Sequence, residues 1–129
     1  MVLVVLDASI VIGHLSALDR HHEAASSALS HRGDADLRLP ASAYAESLVG
    51  PGRSGLSAHA RQLIRSLAIS IDPIDGATAE EAARMRARHR SLRLPDALVL
   101  AHAEVLEADE VLTTDATWKR FSRRVRIVA

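Results

Sequence analysis

The chain has 129 residues, no cysteine, and 16 basic and 16 acidic side chains. The absence of cysteine excludes disulfide frameworks, thiolate nucleophiles and cysteine-ligated metal sites. The length fits one domain over residues 1–129, and the net charge of zero gives no overall attraction to nucleic acid or to membranes. The apolar run Met1–Leu6 is too short for a signal peptide or a membrane span, so we expect a cytoplasmic protein without membrane contact.

Short apolar runs rich in β-branched residues predict buried strands. These runs are continuous rather than alternating, which is typical of a parallel sheet covered on both faces. We therefore predict an α/β fold with three layers, α/β/α, around a central, mainly parallel five-stranded sheet. The predicted strands are Val2–Leu6, Leu37–Leu39, Ile69–Ile71, Glu110–Thr114 and Val125–Val128.

Longer helical patterns alternate with these strands. Thr78 and Glu81 form a capping-box signature at the start of one of them. The segment Gly50–Gly55 contains three glycines and a proline, which predicts a flexible break between two helices. The predicted helices are Ala8–Leu18, His21–Ser30, Pro40–Val49, Leu56–Leu67, Thr78–His89, Pro95–Ala108 and Asp115–Phe121.

Four acids stand where a parallel sheet collects functional groups. Asp7 closes the first strand and Asp115 follows the fourth, while Asp96 lies in the first turn of a helix and Glu46 inside a helix of small and apolar residues. Ligands bind at the carboxyl ends of parallel strands, so we expect the four acids to meet. Their mutual repulsion requires cations, and carboxylate ligands suit Mg²⁺ or Mn²⁺ and metal-assisted phosphoryl transfer.

Each acid also has a purely structural interpretation. Asp7, Asp96 and Asp115 occupy positions where an aspartate caps a helix or complements its dipole, and Glu46 fits an exposed helix position. His102 follows Asp96 by six residues, a spacing that turns it away from that acid on a helix. We expect a surface or packing role for this histidine.

Two clusters of basic residues contain no acid. Either cluster can contact phosphates, and either can simply form a solvated surface. The first comprises Arg84, Arg86, Arg88, Arg90 and Arg93, and the second comprises Lys119, Arg120, Arg123, Arg124 and Arg126.

The four acids lie in motifs that together resemble the PIN-domain family, and more narrowly the VapC toxins of bacterial type II toxin–antitoxin pairs. The resemblance covers essentially the whole chain. It is specific because the acids occur in order, each in the right kind of element. The motifs are Leu6-Asp7-Ala8-Ser9, Tyr44-Ala45-Glu46, Leu94-Pro95-Asp96-Ala97-Leu98 and Leu112-Thr113-Thr114-Asp115-Ala116-Thr117-Trp118.

The resemblance implies a PIN-like fold and a metal-dependent endoribonuclease that uses one or two Mg²⁺ or Mn²⁺ ions. Ser9 and Thr113 match hydroxyl positions that orient the acids by hydrogen bonds. The implied substrate is a structured RNA such as tRNA or rRNA, whose cleavage inhibits translation and growth. The implied partners are a cognate VapB-type antitoxin and a second copy in a homodimer. The catalytic metal ligands implied by the resemblance are Asp7, Glu46, Asp96 and Asp115.

Two other functions stay open. One is a non-catalytic α/β module that binds protein or RNA, and the other is a metal-dependent phosphatase. An Asp96→Asn change separates the first from a nuclease, because a nuclease loses activity whereas a scaffold only loses a repulsive charge. For a nuclease, we predict that the basic stretch from Arg84 to Arg93 contacts the RNA.

Overall fold

A sheet of five parallel strands forms the centre of the molecule, which is described over all 129 residues by a computed structural model. The strand order is β3-β2-β1-β4-β5, and each of the four pairings between neighbours is parallel. The predicted sheet is therefore confirmed, and no pairing is antiparallel. The strands are β1 (Leu3–Leu6), β2 (Asp36–Pro40), β3 (Ser70–Asp72), β4 (Glu110–Thr113) and β5 (Val125–Ile127).

Six α-helices and one 3-10 helix flank the sheet. Each connection between successive strands includes a helix, as a parallel sheet requires. No helix has the length and apolarity needed to cross a membrane. The helices are α1 (Ala8–Leu15), α2 (His22–Ser30), α3 (Ala41–Arg53), α4 (Ser57–Ser66), α5 (Gly76–Arg88), α6 (Leu94–Leu106) and the 3-10 helix Ala116–Arg120.

Helix α3 does not end where the glycines predicted. It continues through Gly50 and Pro51 to Arg53, so the predicted break at Gly50 is wrong. A proline clashes with the Cβ atom of a preceding helical residue, and Gly50 has no Cβ atom. The turn falls instead at Gly55, which adopts a positive φ of 71° that glycine tolerates well.

The start of α5 also differs from the prediction. The helix begins at Gly76, and the carboxylate of Asp75 accepts a hydrogen bond from the Thr78 backbone N–H at 2.9 Å. Asp75 is therefore the capping residue, and the predicted capping box at Thr78 is wrong. Thr78 is buried, and its hydroxyl lies 3.5 Å from His102 Nδ1.

The central strands bring two candidate residues to one edge. Val4, Val5 and Leu6 of β1 are fully buried, as expected for a strand covered on both faces. Strand β1 pairs in parallel with β4, so both strands end at the same edge of the sheet. The Asp7 N–H extends this pairing by donating to the Leu112 carbonyl at 3.0 Å.

Candidate active site

Four elements carry the predicted acids to the carboxyl edge of the sheet. Asp7 lies between β1 and α1, and Asp115 lies between β4 and the 3-10 helix. Asp96 is in the first turn of α6, and Glu46 lies within α3. Asp7 and Asp96 are half-buried, whereas Glu46 and Asp115 are exposed to solvent. Two of the four acids are therefore partly shielded from water, and the other two face the solvent.

Two hydroxyl groups hold the Asp7 carboxylate. Ser9 Oγ and Thr113 Oγ1 each donate a hydrogen bond of 2.8 Å to Asp7 Oδ2. Each hydroxyl also accepts from the backbone at 3.1 Å, Ser9 from the Thr114 N–H and Thr113 from the Asp115 N–H. These hydroxyls therefore connect the Asp7 carboxylate to the end of β4 by hydrogen bonds. They occupy the positions at which the family resemblance implies orienting hydroxyls.

The capping interpretation applies to one acid fully. Asp115 Oδ1 accepts hydrogen bonds from the N–H and the hydroxyl of Thr117, at 2.9 and 2.7 Å. Asp7 occupies the N-cap position of α1, but its side chain makes no capping hydrogen bond. Capping thus accounts for the position of the Asp115 side chain. It does not account for the Asp7 side chain, which Ser9 and Thr113 hold instead.

The acids influence one another electrostatically. Burial raises the pKa of Asp96, and the charge of Asp7 raises it further. Burial also raises the pKa of Glu46, followed by the charges of Asp7 and Asp96. Coulomb interactions weaken with distance and with solvent, so Asp7 lies near enough to Glu46 and Asp96 for its charge to act on both.

Asp115 and Arg93 belong to the same neighbourhood. The charge of Asp115 raises the pKa of Asp96, an effect smaller than that of burial. The Arg93 guanidinium lowers the pKa of both Asp96 and Glu46 and so opposes their repulsion. The Arg93 charge therefore offsets part of the repulsion that acts on Glu46 and Asp96.

Asp7 is subject to two opposing effects. Burial raises its pKa, while the hydrogen bonds from the hydroxyls of Ser9 and Thr113 lower it. Hydroxyl donors favour the ionised form of a carboxyl group. The site thus desolvates a carboxylate and at the same time supplies donors that stabilise its charge.

A divalent cation fits this set by its chemistry. No three His, Asp or Glu side chains lie together in an arrangement able to hold a metal ion. The donors are nevertheless carboxylate oxygens, which Mg²⁺ and Mn²⁺ prefer. A bound cation would also relieve the repulsion that raises the pKa of Glu46 and Asp96.

The first basic cluster is partly neutralised in the fold. The Arg84 Nε atom lies 2.9 Å from a Glu81 carboxylate oxygen, and Arg88 lies 4.0 Å from the other oxygen. Arg86 donates to the Leu92 carbonyl at 2.7 Å. Arg90 and Arg93 are exposed and form no ion pair, although the Arg93 charge acts on Glu46 and Asp96.

His102 is buried and faces away from the acids. Its Nε2 atom lies 2.7 Å from Asp72 Oδ2, and Asp72 also lies 3.3 Å from the Arg38 guanidinium. The packing role predicted for His102 is therefore correct, and a surface role is excluded. No local pattern indicates its partner, which lies 30 residues away.

An apolar groove borders the site at Glu46. It has a volume of about 590 Å³, and Glu46 lies at its edge. Its apolar lining includes Ile12, Leu18, Pro51 and Leu56, and Leu18 is 98% exposed. In the sequence, Leu18 and Leu56 are large apolar residues next to turn-forming residues. Such positions are not expected on a buried helix face, so they could have indicated an exposed apolar surface.

A parallel α/β fold with carboxyl groups gathered at the carboxyl edge of the sheet defines the class of protein. The PIN domain model matches residues 4–124, so the chain belongs to the PIN domain family. No curated protein sequence matches the chain.

Several solved structures have the same fold. A toxin–antitoxin complex from Klebsiella pneumoniae is 23% identical, with a TM-score of 0.78 over 95% of each chain. VapBC2 from Rickettsia felis, bound to a DNA fragment from its promoter, is 13% identical, with a TM-score of 0.79 over 98% of this chain and 99% of that chain. VapC20 from Mycobacterium tuberculosis, a toxin that cleaves the sarcin–ricin loop, is 16% identical, with a TM-score of 0.78 over 91% of this chain and 93% of that chain.

Proposed function

We propose that this protein is the toxin of a toxin–antitoxin pair and a metal-dependent endoribonuclease. Its substrate is a structured RNA such as tRNA or rRNA, and cleavage inhibits translation and growth in the cytoplasm. The observation that carries the proposal is the Asp7 carboxylate, which the Ser9 and Thr113 hydroxyls hold at the carboxyl edge of the sheet and whose charge raises the pKa of Glu46 and Asp96 from two other elements. Membership of the PIN domain family and the structural likeness to a ribosomal RNA-cleaving toxin support it.

Each acid has a role in this proposal. Asp7, Glu46, Asp96 and Asp115 hold one or two Mg²⁺ or Mn²⁺ ions. Ser9 and Thr113 fix the orientation of Asp7 through their 2.8 Å hydrogen bonds. A divalent cation, when bound, increases the acidity of water and stabilises negative charge on phosphate oxygens.

Arginine side chains near the acids contact the phosphates of the RNA. Arg93 already interacts with Glu46 and Asp96 through its charge, and Arg90 is exposed nearby in the chain. We assign the phosphate contacts predicted for the first basic cluster chiefly to these two residues. Arg84, Arg86 and Arg88 contribute less, because each already contacts a carboxylate or a carbonyl.

We propose the apolar groove as the binding site of a VapB-type antitoxin. Its lining contains several aliphatic side chains and Glu46, so a segment lying in it would contact this one of the four acids. Such a groove suits the apolar face of a helix. The likeness to VapBC complexes supports this partner, and a homodimer completes the proposed assembly.

Cleavage of total bacterial RNA tests the proposed activity. The purified protein is incubated with RNA in Mg²⁺, Mn²⁺ or chelator, and new 5′ ends are mapped. The variants are Asp7→Ala and, as a control, Asp34→Ala at an exposed acid without a salt bridge. We expect discrete cuts that require metal, persist in the control and disappear in Asp7→Ala.

Two results contradict the proposal. The absence of cuts under every metal, together with undiminished RNA binding, indicates a non-catalytic binding module. Turnover of small phosphomonoesters with intact RNA indicates a phosphatase. Calorimetric titration with Mn²⁺ then decides whether the acids bind metal.

A further inference from the structure

A polar groove lies between α5, the end of α6 and the segment after the 3-10 helix. Its volume is about 730 Å³, and only two of its lining residues, Met85 and Phe121, are apolar. Five of the others are basic and three are acidic. The basic residues are Arg88, Lys119, Arg120, Arg123 and Arg124.

The acids of this groove are already engaged. Glu104 lies 3.2 Å from the Arg124 Nε atom, and Glu81 pairs with Arg84 outside the groove. A carboxylate oxygen of Asp109 accepts a hydrogen bond from the Leu3 N–H at 2.7 Å. The negative charge of the groove is therefore committed to contacts within the protein.

Three cations of the groove have no such partner. Lys119, Arg120 and Arg123 are exposed, and none forms a salt bridge. The Arg120 guanidinium lies over the Phe121 ring at 5.9 Å, and that ring packs edge-on against His89 at 5.2 Å. The Arg120 side chain is thus held in place while its charge stays available to an anion.

The 3-10 helix connects this groove to the candidate active site. It begins next to Asp115 and ends at Arg120. A 3-10 helix rises about 2 Å per residue, so Lys119 follows Asp115 by about 8 Å along the axis. The cations therefore follow Asp115 along this helix, although none of the four acids lines the groove itself.

We propose that Lys119, Arg120 and Arg123 bind the sugar–phosphate backbone of the RNA strand in this groove, outside the group of four acids. This inference rests on the proposed ribonuclease function. The groove matches a polyanion in charge, and arginine is well suited to phosphate. Phe121 is the one aromatic residue of the groove, and Arg120 covers its ring, so the groove offers no ring for stacking on a base. The contact is made to the backbone and is therefore independent of sequence.

The test is the salt dependence of RNA binding in chelator, where cleavage is suppressed. The probe is a fluorescent single-stranded oligoribonucleotide of mixed sequence. The test variant is K119Q/R120Q/R123Q, and the control is R53Q/R61Q/R65Q, which removes three exposed arginines without salt bridges elsewhere. A third variant, K119R/R120K/R123K, keeps the charges.

For a single strand, each phosphate contact contributes about 0.7 to the slope of log K against log salt. We expect the test variant to reduce the magnitude of this slope by about 2 and to raise KM in the cleavage assay, while kcat is retained. The charge-keeping variant restores the slope, and the control leaves it unchanged.

An unchanged slope in the test variant, or an equal reduction in the control, overturns the inference and leaves the nuclease standing if the wild type still cleaves. Failure of the wild type both to bind and to cleave RNA rejects the proposed function and this inference together.

Discussion

The hydroxyl of Thr113 donates to Asp7 at 2.8 Å and accepts from the Asp115 N–H at 3.1 Å. One buried side chain at the end of β4 therefore fixes both the carboxylate after β1 and the backbone of the next acid. A threonine at a strand end is ordinarily explained by its preference for β structure. Here its hydroxyl also holds two groups of the site in position by hydrogen bonds.

Thr113→Val removes this hydroxyl and keeps the shape of the side chain. We expect a loss of about 1–3 kcal/mol in the free energy of unfolding, because a buried donor and acceptor lose their partner. RNA cleavage or metal affinity falls about 10- to 100-fold, as is usual when an orienting residue is lost. Urea unfolding and cleavage assays measure both. Thr113→Ser keeps the hydroxyl and should retain most activity, and equal losses in the two variants would show that packing alone matters.

The acids make the stability of the metal-free protein depend on pH. Burial raises the pKa of Asp7, Glu46 and Asp96 from their ordinary values of 3.8, 4.5 and 3.8, and the charge of Asp7 raises the pKa of Glu46 and Asp96 further. The folded state then holds protons more tightly than the unfolded chain. The free energy of unfolding therefore falls as the pH rises from these ordinary values through the raised folded-state values.

Asp96→Asn tests this relationship by removing one charge. We expect the metal-free variant to be more stable than the wild type at neutral pH, with a smaller difference at acidic pH. Mg²⁺ should raise the Tm of the wild type more than that of the variant, because ligand binding stabilises the state that binds it. Asp34→Asn is the matched control. A stability difference that is the same at every pH contradicts the electrostatic account.

His102 and Asp72 form a buried pair at 2.7 Å. Replacing His102 by Phe leaves Asp72 with Arg38 at 3.3 Å as its remaining ion-pair partner. We expect a loss of about 1–3 kcal/mol in stability, because Asp72 loses one buried hydrogen-bond partner and keeps the other. In a double-mutant cycle, Asp72→Ala with His102→Phe should cost less than the sum of the single changes. Additive losses, measured by urea unfolding, would mean that the two side chains do not stabilise one another.

Gly50 allows α3 to pass through Pro51. An Ala at position 50 meets no atom within 4 Å beyond its chain neighbours, so a simple helix-propensity estimate predicts stabilisation. We expect Gly50→Ala to destabilise the wild type instead, because its Cβ atom clashes with the Pro51 ring. In a Pro51→Ala background the same change should stabilise by about 0.5–1 kcal/mol. The same sign in both backgrounds, measured by thermal unfolding, would contradict this explanation.

Local patterns were sufficient for much of the fold. The apolar run at Val4–Leu6 predicted a buried parallel strand because it lacks alternation, and it is fully buried. The acid after that strand followed from the rule that parallel strands end at a shared edge. The position of Asp7 at the carboxyl edge was thus predictable from the sequence, whereas the predicted metal-binding group of acids stays a prediction.

Other features depend on contacts between distant residues. Glycine and proline at positions 50 and 51 favour a turn locally, but the combination lets a helix continue. The basic stretch contains no acid in sequence, yet Glu81 from the preceding turn pairs with Arg84. The partner of His102 lies in β3, and no local pattern connects an edge strand with the middle of α6.

The edges of the sheet limit how other chains can attach. Strands β3 and β5, which form the two edges, are only three residues long. Exposed edges invite an added strand or aggregation, and short edge strands suppress both. A peptide that adds to a sheet gains affinity from main-chain hydrogen bonds, and so short an edge supplies few of them. The molecule is thereby protected from edge-to-edge self-assembly, and a binding peptide has to be held by side chains of the surrounding helices.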